Sequence, residues 1–256
     1  MREDSGVFAR PDGHGLAFRR IEGRGPTVLW LGGFGSDMAG TKAEALAAWS
    51  QAQGRAFLRF DYFGHGESSG AFETGTIGRW REDALAVLDG MTQGPVVLVG
   101  SSMGGWIACL LALARPERIR SLVLIAPAAD FTDKLIWPAL PPAAQEEILT
   151  RGVWTRPSPH EIQGLPITRA LIEDGEHWSI LPGPVPIQAP VRVLQGGCDP
   201  DVPWEHALTL FHAIEGRDAV FTLVKDGDHR LSRPEDLTRI LQAVEEAAGE
   251  TEAMAQ

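Results

Sequence analysis

Cysteine is scarce in this 256-residue chain: Cys109 and Cys198 are the only two. They fall in different expected elements and have no metal-ligand spacing, which argues against a disulfide framework and a cysteine metal site and suits a reducing compartment. Basic charge is also short, with 23 Lys and Arg against 34 Asp and Glu, a formal net charge of -11. An acidic protein repels phosphate at long range, so nucleic acid and anionic membranes are not expected partners. No apolar run approaches the roughly 20 residues of a membrane span. Met1 to Arg10 has neither the apolar core of a signal peptide nor the basic bias of a transit peptide, and a cytoplasmic protein is expected. Gly40 to Lys42 and Gly94 to Gly100 match neither a Walker nor a dinucleotide pattern, so no cofactor is expected. The scattered histidines imply no metal.

What the chain does have is 44% hydrophobic residues and a regular alternation of strand and helix patterns. Val7 to Arg10 and Leu16 to Ile21 read as an antiparallel hairpin around Pro11, Asp12 and Gly13. Strands follow at Thr27 to Leu31, Ala56 to Tyr62, Val96 to Val99 and Ser121 to Ala126, separated by helices at Lys42 to Gln53, Ile77 to Thr92 and beyond Gly104. Alternation then stops for about sixty residues rich in proline and tryptophan, too long for a plain connection. It resumes with strands at Val191 to Leu194 and Ala219 to Val224 and helices at Trp204 to Ile214 and Pro234 to Ala247; Gly249 to Gln256 should fray. The expectation is an α/β protein with a mostly parallel eight-stranded sheet and helices on both faces. Residues 1–129 and 187–256 form its core, and 130–186 form a cap with helices near Ala143 to Thr150 and Thr168 to Glu173.

Between the strand at Val96 to Val99 and the next helix lies Gly100, Ser101, Ser102, Met103, Gly104, Gly105, Trp106. With eleven serines and 29 glycines, chance alone gives roughly 0.14 matches to GxSxG. The strand before and the helix after make it a nucleophile elbow, a turn sharp enough to require small residues two positions either side of Ser102. A serine hydroxyl is a weak nucleophile and needs a base, which in turn needs an acceptor to hold its tautomer. Among seven histidines, His229 follows a late strand in the loop Asp226, Gly227, Asp228, whereas His212 sits inside a helix. The loop after Val191 to Leu194 offers two acids, Asp199 and Asp201, and Asp201 also reads as a residue interacting with the amides of the following helix. Oxyanion donors are expected from Met103 N, at a helix start, and from Phe34 N in the loop Gly32, Gly33, Phe34, Gly35. Trp106, Trp154 and the cap residue His177 are candidate pocket residues.

These features resemble the α/β-hydrolase superfamily. Several blocks narrow the likeness: Gly40, Thr41, Lys42, Ala43; Arg59, Phe60, Asp61, Tyr62; Gly78, Arg79, Trp80, Arg81; the elbow through Trp106; Ala114, Arg115, Pro116, Glu117; Gly152, Val153, Trp154; Val202, Pro203, Trp204; and Asp228, His229, Arg230. Together they resemble the family of palmitoyl-protein thioesterases also described as mycophenolic acid acyl-glucuronide esterases. That resemblance implies Asp199 as the acid, since in the superfamily it commonly stands three residues before a Val-Pro pair, and Ser102, Asp199 and His229 as a triad. It implies hydrolysis of acyl thioesters or carboxylic esters, of small molecules or S-acylated protein, without a cofactor. His65, in Gly64, His65, Gly66, Glu67, Ser68, is then a scaffold residue near the oxyanion loop. The chain departs from the family in lacking a mitochondrial leader, which suggests a bacterial relative, and in having Gly32-Gly33 where His-Gly or Pro-Gly is frequent. The alternatives are a carbon-carbon bond hydrolase of the same fold and a noncatalytic protein that binds a ligand in the inherited cleft.

Overall fold

The structure is a computed structural model and describes residues 2–156 and 164–249. The chain opens with a hairpin of β1 (Glu3–Ala9) and β2 (Gly15–Ile21), whose register sets Glu3 opposite Ile21 and Ala9 opposite Gly15. β1 begins four residues before the expected Val7, because pairing with β2 carries its polar start into the sheet edge. The alternating part follows as β3 (Arg24–Leu31), α1 (Thr41–Gln53), β4 (Arg55–Phe60), α2 (Ile77–Met91), β5 (Val96–Ser101), α3 (Met103–Ala114) and β6 (Ile119–Ile125). After an insertion it resumes with β9 (Val191–Gly196), α7 (Trp204–Ala213), β10 (Ala219–Val224) and α8 (Pro234–Gly249). The rest of the expected fraying tail lies outside the described residues.

Eight strands form one sheet in the order β1-β2-β4-β3-β5-β6-β9-β10, antiparallel only at β1-β2 and β2-β4. All six residues of β5 are buried, as expected of a central parallel strand covered on both faces. On one face Trp80, Leu88, Trp106 and Leu111 of α2 and α3 pack on Leu29, Leu98 and Leu122. On the other, Leu46 of α1 and Ile240 and Val244 of α8 pack on Val28, Val97 and Val123. Because β3, β5, β9 and β10 run parallel, the loops after them emerge at one edge of the sheet, where ligands bind in open α/β sheets.

The insertion carries α4 (Trp137–Ala139), α5 (Pro142–Arg151), β7 (Val153–Arg156), β8 (Leu165–Thr168) and α6 (Arg169–His177). The two expected helices are present as α5 and α6. α6 runs four residues past Glu173, after Thr168 caps it by accepting the Leu171 amide at 3.1 Å. The sequence reading had no β7-β8 hairpin, in which Trp154 faces Ile167, since four-residue strands leave little period to detect. Asp130, fully buried, ties the two ends of the insertion together: its carboxylate accepts Ser179 Oγ at 2.6 Å and the amides of Ile180 and Leu181 at 3.0 and 2.8 Å. Among the described residues no helix is long and apolar enough to cross a membrane.

Candidate active site

Ser102 sits between β5 and α3 with φ 55 and ψ -119, a region that costs a non-glycine residue energy unless its surroundings enforce it. Those surroundings are close. A Cβ on Gly100 would overlap the Gly104 carbonyl, and one on Gly104 would overlap the Leu31 carbonyl. Ser102 N donates to Ile125 O at 2.9 Å, and Ser102 O accepts the Gly105 and Ala128 amides at 2.9 and 3.1 Å. The elbow is thus tied both to β6 and to the loop after it.

His229, in the loop after β10, places Nε2 3.1 Å from Ser102 Oγ and Nδ1 2.8 Å from Asp199 Oδ2. An ionised carboxylate can only accept, so the proton belongs on Nδ1, leaving Nε2 free to accept the serine hydroxyl. Asp199 is buried, and burial alone would push its carboxyl up. The hydrogen bond and charge of His229, with the amides of Val202 and Asp201 at 2.8 and 2.9 Å, outweigh this and hold it below the usual range.

Asp201 is exposed, and its Oδ1 lies 3.6 Å from an Arg156 guanidinium nitrogen. It does not cap α7, whose N-cap is Pro203 with no side-chain bond. The side chain that accepts amides there is Asp199, one turn earlier. Asp199, Asp201 and His229 could in principle gather about a cation. The inward lone pairs of Asp199, however, are already engaged by the imidazole, by Gln195 and by two amides.

The loop after β3 lies against the serine: a Cβ on Gly33 would stand 3.4 Å from Ser102 Cβ. The Gly35 amide donates to His65 Nε2 at 3.2 Å, and His65 Nδ1 donates to Phe63 O at 3.1 Å. Burial, opposed by that carbonyl, brings His65 down to about 4, so it is a neutral scaffold residue at neutral pH. Among the described residues no backbone carbonyl takes the Phe34 amide. The Phe34 ring is held by Phe72, Phe131 and Trp80 at centroid distances of 5.0, 5.6 and 5.8 Å. Met103, the second expected donor, begins α3 directly after Ser102.

The pocket candidates end up elsewhere. His177 is exposed on the last turn of α6 and donates to Glu173 O of its own helix at 2.9 Å, because the helix buries Leu171, Ile172 and Gly175 instead. Trp106 is fully buried, donating to Trp178 O at 3.3 Å and setting its ring against Phe131. Trp154 is half-buried in the hairpin. A cavity of about 460 Å³ lies between the Gly35–Asp37 loop, Phe72, Glu73 and the hairpin residues Thr155 and Leu165, and none of the three lines it. Two further residues were not foreseen. Lys42 Nζ donates to Arg230 O at 2.6 Å beside His229, and burial, opposed by Asp228, lowers it to about 8. Gln195 touches Asp199. The block Gly40, Thr41, Lys42, Ala43 quoted for the family resemblance contained the first; a glutamine in an apolar strand was the signal for the second.

A family model described as serine aminopeptidase, S33, matches residues 26–169. The mouse mitochondrial palmitoyl-protein thioesterase ABHD10 is 39% identical over 232 residues, 90% of this chain and 78% of that protein. The solved mouse alpha/beta hydrolase domain-containing protein 10 superposes with a TM-score of 0.87 at 37% identity, covering 95% of this chain and 97% of the other. A crystal structure from Agrobacterium vitis, described only as a hydrolase, gives 0.92 at 41% identity, covering 97% and 100%.

Proposed function

Since the chain belongs to the serine aminopeptidase S33 family and to that of the palmitoyl-protein thioesterase ABHD10 proteins, and is a serine hydrolase of α/β-hydrolase fold, we propose that it cleaves acyl thioesters or carboxylic esters through an acyl-enzyme on Ser102. The observation that carries this reading is the unbroken hydrogen-bonded chain from Ser102 Oγ through His229 to Asp199. His229 Nε2 takes the hydroxyl proton as Oγ attacks the carbonyl carbon. The imidazolium that forms is stabilised by Asp199, which itself stays ionised. The carbonyl oxygen, now negative, is held by the amides of Phe34 and Met103; a single such donor is worth roughly 2.7 to 4 kcal/mol of barrier. Collapse of the intermediate expels a thiol or alcohol, protonated by His229. Water then enters, loses a proton to His229 and releases the acid in a second passage through the same site.

The insertion, residues 130–186, is taken as the cap over this core of 1–129 and 187–256. Its hairpin meets the oxyanion loop, where Leu165 Cδ2 would stand 2.7 Å from a Cβ on Gly35. Part of the substrate is assigned to the cavity there. S-acylated protein is a candidate substrate because of the thioesterase relatives, and the two free thiols fit a cytoplasmic setting. A chain-length series of acyl thioesters, beside p-nitrophenyl esters and acyl glucuronides, tests the reading. Turnover of thioesters or esters, abolished in Ser102→Ala, is expected. Hydrolysis of vinylogous diketones with no ester turnover would move the assignment to carbon-carbon bond cleavage.

A further inference from the structure

Gln195 lies in β9, four residues before Asp199, and is completely buried. Its Nε2 is 3.0 Å from Asp199 Oδ2, 3.0 Å from Val202 O and 3.2 Å from Gly196 O. All three neighbours are acceptors, so the amide orientation is dictated: the flipped form would set Oε1 against three oxygens. Oε1 instead faces away, buried and without a hydrogen-bond partner among the described residues. An unpaired buried carbonyl is unfavourable. An apolar side chain would avoid that cost but could not donate to Asp199.

Resting on the functional reading above, we propose that Gln195 is a positioning residue that fixes the Asp199 oxygen facing His229 and moderates the charge that oxygen presents to the imidazole. Oδ2 receives His229 Nδ1 and Gln195 Nε2, while Oδ1 receives the Asp201 and Val202 amides. With four donors the carboxylate cannot rotate without breaking at least one bond. Without Gln195, Oδ2 would hold more negative charge, favour the imidazolium and leave His229 a free base only at higher pH. Among the described residues, charged groups near the pair include Asp201, facing Arg156 of β7, and Asp228 and Arg230, both beside Lys42 of α1. Gln195 variants leave all of these in place.

The test compares wild type, Gln195→Met and Gln195→Glu with p-nitrophenyl butyrate across pH 5 to 9. For Q195M, kcat is expected to fall by about tenfold with KM within about twofold, and the acid limb of kcat/KM to rise by about half a pH unit. In Q195E the introduced carboxyl, facing three oxygens, stays protonated and donates one hydrogen, recovering part of the rate. If Q195M does not fold, Q195E against wild type carries the test through its lower kcat and displaced acid limb. Wild-type kcat with an unmoved acid limb in either folded variant would overturn the inference, as would a lowered kcat with an unmoved limb and no recovery in Q195E. A wild type inert toward the ester and toward a fluorophosphonate would instead overturn the functional reading, and this inference with it.

Discussion

Around Ser102, Gly100 and Gly104 occupy places where a Cβ would overlap backbone carbonyl oxygens, whereas Gly183 in the insertion would meet nothing within 4 Å. The same residue type therefore means different things in the two regions. At the elbow it is demanded by two strands and a helix packed around a serine of positive φ; at Gly183 the space is open, although Gly164 and Gly175 of the same insertion are packed closely against Arg156 O and Thr132. The side chain proposed to carry the covalent chemistry stands on over-determined backbone.

The comparison breaks first if the chemistry is not where the over-determined backbone is. His229→Ala is expected to lower kcat/KM toward a thioester or ester by about 10⁴-fold with circular dichroism unchanged. Next, Gly104→Ala should destabilise by about 4 kcal/mol or fail to accumulate folded, while Gly183→Ala should leave the melting temperature within about 2 °C; equal losses would erase the contrast. The core should also respond to acid. His65 titrates near 4 when folded, well below its ordinary 6.5, so the unfolded chain binds the proton first. Stability is whole above pH 6.5 and falls toward pH 4, by up to about 3 kcal/mol from this residue. Chemical melts of wild type and His65→Gln across that window check it, the variant showing the shallower decline. The smallest effect belongs to the insertion: His177→Ala should keep kcat/KM within about twofold, because among the described residues its ring bonds only to its own helix.

Most of the sheet was legible because its strands are buried on both faces and read as apolar runs between turn residues. The elbow was legible for a local reason, the spacing of Gly100, Ser102 and Gly104. Choosing between Asp199 and Asp201 needed the resemblance, since both lie in one loop and differ in which way the turn aims them. The brace of Phe72, Trp80 and Phe131 on Phe34 could not be read, as it joins three stretches far apart in the chain. His177 misled because a polar residue beside Trp178 looks pocket-facing until the buried stripe of α6 is known. Gln195 was passed over because the expected strand stopped at Leu194, whereas β9 continues through it to Gly196.

The central claim is that Ser102 forms the covalent intermediate. Intact-protein mass spectrometry after treatment with a fluorophosphonate, followed by peptide mapping, tests it most directly. One phosphonyl adduct on the peptide containing Ser102, absent in Ser102→Ala and much slower to form in His229→Ala, is the result the account predicts. A folded wild-type protein that stays unmodified, or is modified at another serine, would contradict it.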